Sequence, residues 1–194
     1  MREQLTREAG GKWHDGAARE MMGRSSVEWS RYMRDALEVP MEPGEISNAV
    51  VARLERRYRE RVPLLPHAVD AVRECERRWP LGVASSSNRP LIDLVLELSG
   101  LRASFRATVS SEEVARGKPA PDVYLEAATR LDADPEGCGA VEDSTNGIRA
   151  ASSARMRVVA IPRADFPPSA EALQLAHAKL DSLGELVGEL ERIA

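Results

Sequence analysis

From Ala68 onward the chain alternates short β-rich apolar runs with amphipathic helical segments, and no other feature restricts its fold as strongly. The runs are Leu81-Gly82-Val83-Ala84, Ala107-Thr108-Val109, Gly139-Ala140-Val141 and Arg157-Val158-Val159-Ala160-Ile161, with a weaker one at Ala178-Lys179-Leu180. Between them, Leu91, Leu94, Val95 and Leu98 mark one helix face, and Tyr124, Ala127, Ala128 and Leu131 another. Strand and helix alternating in this way predict an α/β fold, a parallel sheet covered on both faces. Sheets of this kind bind ligands at the C-terminal ends of their strands. The chain before Ala68 reads differently. Up to about Arg61 it is helical, with Trp29, Met33 and Leu37 on one face and Ile46, Val50, Leu54 and Tyr58 in a four-residue stripe. Leu64-Leu65-Pro66 breaks that pattern. The expected organisation is a helical region, 1–62, followed by an α/β region, 63–194.

Charge and composition exclude several functions. With 194 residues, 43% of them hydrophobic, the chain buries a proper core, and its length fits one domain or one domain carrying an insertion. A net charge of −4 supplies no basic field for nucleic acid. The run Arg53 to Arg61 is interrupted by Glu55 and Glu60 and has no aromatic platform, so it reads as a solvated helix face. No apolar stretch approaches the roughly 18 residues that span a membrane, and Met1-Arg2-Glu3-Gln4 opens no apolar signal region. Neither nucleic acid nor membrane is an expected partner. Cys75 and Cys138 lie far apart and read as reduced thiols of a cytoplasmic protein. His14, His67 and His177 are scattered, with no His/Cys metal spacing.

Three polar clusters carry the chemistry. The run Gly139 to Val141 ends in two adjacent carboxylates, Glu142-Asp143, followed by Ser144-Thr145-Asn146-Gly147. Adjacent acids at a strand end repel each other unless a cation sits between them, and Mg²⁺ prefers oxygen ligands of this kind. Ser85-Ser86-Ser87-Asn88 follows another strand and precedes a helix whose first turn holds Pro90. A hydroxyl and free N–H groups at such a place make an anion pocket, and serve equally as ordinary caps. Lys118 stands between Gly117 and Pro119, a single ammonium in a stiff turn. At about 4 Å from a phosphate, with an effective dielectric near 20, it contributes on the order of 4 kcal/mol of attraction.

In this order the three clusters resemble the haloacid dehalogenase-like hydrolase superfamily, in its phosphatase and β-phosphoglucomutase branch with a helical cap. Ser85 matches the strand-end hydroxyl of the second motif, and Lys118 the Gly-Lys-Pro-x-Pro lysine of the third. Glu142, Asp143, Ser144, Gly147 and Ala150 match the Glu-Asp-Ser-x-x-Gly-x-x-Ala of the fourth. The resemblance implies a Rossmann-like core and a cap at 1–62 that closes over the site. It also implies that Ser85, Ser86 and neighbouring amides grip a phosphoryl group, that Lys118 bridges it to the nucleophile, and that Glu142 and Asp143 hold Mg²⁺. The expected substrate is a small phosphorylated metabolite. In the cap, Met22-Gly23-Arg24-Ser25-Ser26 resembles the specificity loop, which makes Arg24 and Ser25 candidate substrate contacts.

The family's first motif, an apolar strand ending in Asp-x-Asp-Gly whose first aspartate attacks phosphorus, has no match in these residues. Asp132-Ala133-Asp134 follows a helix and precedes Pro135, and His14-Asp15-Gly16 has no strand before it. In the family this strand is central, between the runs beginning at Leu81 and Gly139. Its absence predicts that the two neighbours shift together or that another segment or another chain fills the gap, so the chain is expected to be a monomer or a strand-exchanged oligomer. The resulting expectation is a phosphomonoester hydrolase fold whose nucleophile is missing here and which is inactive as it stands. Two alternatives remain, a sugar-phosphate mutase and a non-catalytic phosphate-binding or regulatory protein. The mutases carry arginine where this chain has Ser26. Dehalogenation needs no metal pair, and phosphonate hydrolysis needs a cap lysine, whereas Lys12 lies outside the specificity loop. His67 departs from the glycine usual in relatives.

Overall fold

The computed structural model describes residues 1–193. Its first part is helical, as the apolar spacing requires: α1 (Arg2–Glu8), α2 (Ala17–Glu20), α3 (Ser26–Asp35) and α4 (Pro43–Glu60). A capping box starts α3, with the Ser25 hydroxyl accepting from the Glu28 N–H and the Glu28 carboxylate accepting from the Ser25 N–H. Pro43 sits in the first turn of α4, where its missing N–H costs nothing. Trp29, Met33, Leu37, Ile46 and Val50 are buried together with Leu5 and Met21 in a cluster of their own. Leu54 and Tyr58, at the end of the stripe, are half-buried.

The remainder follows the order α5 (Ala68–Glu76), β1 (Leu81–Ser85), α6 (Arg89–Leu98), β2 (Phe105–Ser110), α7 (Asp122–Arg130), β3 (Gly139–Glu142), α8 (Thr145–Ser153), β4 (Arg157–Ala160), α9 (Ala170–Leu173), β5 (Ala178–Lys179) and α10 (Leu186–Ile193). All pairings are parallel. His67, just ahead of α5, takes φ +63°, a left-handed backbone that accounts for the glycine preferred there in relatives. None of the helices among the described residues is long and apolar enough to cross a membrane.

The strands form two half-sheets, one of β1 and β2 and one ordered β3-β4-β5. Between β1 and β3 lies an apolar cleft of about 480 Å³, lined by Leu81, Gly82 and Ala84 on one side and by Gly139, Ala140 and Val141 on the other. Helices α7 on one face and α5 and α10 on the other flank it, through Tyr124, Ala127 and Ala128, Ala71 and Cys75, and Leu186 and Leu190. The expectation that β1 and β3 would move together, or that another segment of the chain would fill the gap, is not met. Two constraints explain the outcome. Val109 of β2, Val123 and Ala127 of α7 and Val158 of β4 belong to one buried cluster, so closing the gap would unpack the core from its helices. The cleft also reaches solvent, with Val141 40% exposed, so the cost of burying unpaired backbone groups along these edges is not incurred in full.

The turn after β2 is held by Glu113. Its carboxylate accepts from the Ser110 N–H at 2.9 Å and from Arg130 at 2.9 Å, and it also pairs with Arg89. Burial pushes this carboxyl up, but the Ser110 N–H and the two guanidinium groups outweigh it and bring it from 4.5 down to about 2. A carboxyl depressed in the folded state stabilises it above the unfolded value and loses that contribution as pH falls through the folded one. Glu113→Gln is therefore expected to lower the urea midpoint at neutral pH, with the difference shrinking from about pH 5 downward and vanishing near the acid limit of about pH 2.

Candidate active site

The rule that ligands gather at strand C-termini places the site at the ends of β1 and β3, beneath the α2–α3 loop. A cavity of about 280 Å³ there is lined by Ser85, Ser86, Ser87, Lys118, Glu142, Asp143 and Ser144 together with Met22 and Gly23. Two further residues complete it, Arg163 and Phe166.

Lys118 is 6% exposed, and its ammonium spans the two half-sheets. Nζ donates to the Ala84 carbonyl of β1 at 3.0 Å and to Glu142 Oε1 of β3 at 2.5 Å, and it lies 4.7 Å from the Tyr124 ring centre. The Tyr124 hydroxyl donates to the same Oε1 at 2.6 Å. On the other oxygen, Oε2 accepts from the Ser144 hydroxyl at 3.2 Å and from the Asp143 N–H at 3.2 Å. Burial pushes the Glu142 carboxyl up, but the Lys118 charge and the hydrogen bonds from Lys118, Tyr124 and Ser144 hold it below the usual carboxylate range. Tyr124 is driven well above the ordinary tyrosine value by burial and then by the Glu142 charge.

Ser144 also caps α8 by accepting from the Gly147 N–H at 3.0 Å. Gly147 is required because a Cβ there would stand 1.9 Å from the Glu142 carboxyl carbon. The fourth motif thus builds a pocket around one buried anion. Asp143 behaves differently: burial and then the Glu142 charge raise its pKa, opposed by Arg163 and Lys118.

The phosphate-binding candidates divide. Ser85 ends β1, and its Oγ accepts from the Ser87 N–H at 3.1 Å, while the Ser86 hydroxyl is drawn to the cap, donating to the Gly23 carbonyl at 3.0 Å. Asn146 likewise donates to the Met22 carbonyl at 3.2 Å. Gly23 has φ +71°, and a Cβ there would lie 2.9 Å from Asn146, so the loop meets the core through bare backbone. Arg24 and Ser25 are not brought into the cavity. The Arg24 guanidinium lies 5.5 Å from the Tyr32 ring centre, and the Ser25 hydroxyl donates to Glu28 at 2.6 Å.

Asp143 and Glu142 are the carboxylates at the cavity, Glu142 with both oxygens already engaged by Lys118, Tyr124, Ser144 and the Asp143 N–H, and among the described residues no group of three or more His, Cys, Asp or Glu gathers for a divalent cation. Mg²⁺ is ordinarily held by one or two carboxylates with water and substrate phosphate, so this donor set fits it, with Asp143 the less engaged of the two.

A family model described as haloacid dehalogenase-like hydrolase matches residues 3–155. The chain belongs to the haloacid dehalogenase-like hydrolase family. Hexitol phosphatase B of Escherichia coli K12 is 39% identical over 146 residues, 75% of this chain and 65% of that protein. The chain thus matches slightly less than two thirds of that relative's length. Among solved structures, CbbY of Rhodobacter sphaeroides in complex with xylulose-1,5-bisphosphate is 30% identical, with a TM-score of 0.79 over 95% of this chain and 89% of the other. A β-phosphoglucomutase of Clostridium difficile gives 0.81 over 97% and 86% at 20% identity, a likeness of fold.

Sequence reading missed Tyr124, Arg163 and Phe166 as site residues. The amphipathic stripe that holds Tyr124 places its ring correctly but says nothing of its hydroxyl. Arg163 follows a strand end, the one signal that would have placed it on the same rim. Removing one partner of a buried ion pair leaves an uncompensated charge, so Lys118→Met is expected to cost about 3–5 kcal/mol. Lys118→Met combined with Glu142→Gln, which keeps an acceptor for Tyr124 and Ser144, should recover part of that loss, as read from urea unfolding of the single and double variants. A loss below about 1 kcal/mol in the single variant would mean that the pair does not hold the site together.

Proposed function

We propose that this chain is the binding scaffold of a Mg²⁺-dependent phosphomonoester hydrolase for a small phosphorylated metabolite, residues 1–62 acting as its cap and 63–194 as its core. The observation that carries the proposal is the convergence of Ser85, Lys118, Glu142 and Asp143 on one cavity at the ends of β1 and β3. Ser85 and the neighbouring amides would hold the phosphoryl oxygens. Lys118, tied to Glu142, offers a positive charge whose position is set before substrate arrives. Asp143, with Glu142 behind it, would hold the metal, which when bound neutralises charge building on the phosphoryl group.

In this reading the attacking aspartate belongs to a strand lying in the cleft between β1 and β3, beside Ala84 and Val141. The 194 residues contain no Asp-x-Asp-Gly segment, so the chain as it stands is expected to bind phosphate without turning over an ester. Similarity to a hexitol phosphatase and to a structure holding a sugar bisphosphate favours phosphorylated sugars or polyols as the substrate class. The mutase reading is weaker because Ser26, where the mutases carry arginine, donates to Glu112 at 2.6 Å.

Two measurements test the proposal. Calorimetric titration with inorganic phosphate in the presence of Mg²⁺ should show binding that Ser85→Ala weakens by about tenfold. The 194-residue chain should release no phosphate from a panel of sugar phosphates, and joining an apolar strand ending in Asp-x-Asp-Gly ahead of Met1 should produce release. Turnover without that strand, or none with it, would contradict the proposal.

A further inference from the structure

The loop from β4 to α9 was not singled out by any motif, yet it places a guanidinium at the mouth of the cavity. Both its ends are fixed. The Ile161 N–H donates to the Glu142 carbonyl at 2.8 Å, which ties the start of the loop to the metal-site strand. The Ser169 N–H donates to the Thr145 hydroxyl at 2.8 Å, which ties the other end to the first turn of α8. Between these anchors stand Pro162, Pro167 and Pro168, each with φ restricted by its ring, and the Phe166 N–H closes a turn on the Arg163 carbonyl at 3.3 Å. Arg163 is therefore two residues from a hydrogen bond to Glu142, on a loop with little freedom to carry it elsewhere.

The guanidinium itself is uncommitted: Arg163 lines the cavity, but among the described residues it has no hydrogen-bond or ion-pair partner. Its charge is felt at Asp143, where it opposes the rise in pKa. A guanidinium presents five donors in a planar fork suited to carboxylate and phosphate oxygens. The neighbouring groups that would hold the reacting phosphoryl, Ser85 and Lys118, are on strand β1 and the β2–α7 turn, so Arg163 approaches the cavity from a different side. The Arg24 candidate of the cap is engaged over Tyr32.

We propose that Arg163 forms a second anion subsite, which makes the pocket selective for small metabolites that carry, besides the phosphoryl group held by Ser85 and Lys118, a further phosphate or carboxylate. Arg163 is exposed at the mouth, and Phe166, half-buried, lines the cavity beside it. This inference rests on the phosphate-binding reading of the site and adds the substrate class to it.

Calorimetric titration of the 194-residue chain with four probes in the presence of Mg²⁺ tests it: inorganic phosphate, a hexose monophosphate, the corresponding hexose bisphosphate and a phosphorylated sugar acid. A charge-assisted fork should make the bisphosphate or the sugar acid bind about tenfold or more tightly than the monophosphate. Which of the two binds tighter distinguishes phosphate from carboxylate as the second anion. Arg163→Met should abolish that preference, costing the bisphosphate or the sugar acid about tenfold more affinity than it costs the monophosphate, and Arg163→Lys should restore part of it. A preference that survives Arg163→Met, or a monophosphate loss equal to the bisphosphate loss, overturns the subsite and leaves the phosphate site standing. Absence of phosphate binding to the unaltered chain overturns the site reading and the subsite with it.

Discussion

A buried ammonium and a buried carboxylate, Lys118 and Glu142, join two half-sheets that share no backbone hydrogen bond. Lys118 comes from the turn after β2, takes the Ala84 carbonyl of β1, and reaches across the cleft to the end of β3. Taking such ions out of water is costly, and their attraction repays the cost only when the remaining lone pairs are also satisfied. Here they are: the Tyr124 and Ser144 hydroxyls and the Asp143 N–H take up the rest of the carboxylate. The same contact that holds the half-sheets in relation to each other also sets the charge of the site.

The cap meets this centre through both main-chain and side-chain atoms. Ser86, just after β1, and Asn146, in the first turn of α8, donate to the adjacent carbonyls of Gly23 and Met22. Farther out, Glu112 accepts from Ser26 of α3, from the Asn88 side chain at 2.9 Å and from the Arg89 N–H at 3.0 Å. Asn88 also donates to Ser47 of α4 at 3.2 Å. Contacts to carbonyls do not depend on which side chains the cap carries.

Much of the architecture was legible because period-two and period-3.6 patterns report burial directly. All five strands appear where β-branched and small apolar runs stood between helical stripes, and the motif residues fall on one rim because parallel strands deliver their C-terminal ends to one side. Tertiary choices made by polar atoms were less legible. Ser86 turns to the cap, Ser25 serves its own helix cap, and Arg24 lies against an aromatic ring, all within the reach of flexible or ambiguous side chains that sequence spacing does not fix. Arg163 sits in a proline-rich loop without periodicity, and nothing short of the anchoring bonds at Ile161 and Ser169 reveals where it goes. The cleft is not legible from strand edges alone, because what keeps it open is the core shared by β2, α7, α8 and β4.

The central claim is that the Lys118–Glu142 contact makes the two half-sheets one cooperative unit. Native-state hydrogen exchange of the β1–β2 and β3–β4 amides tests it most directly, in the unaltered chain and in Glu142→Gln. The account predicts a common opening free energy for both half-sheets in the unaltered chain and separate, lower values once the carboxylate charge is removed. Two distinct opening energies in the unaltered chain, or a common value that Glu142→Gln leaves unchanged, would contradict it.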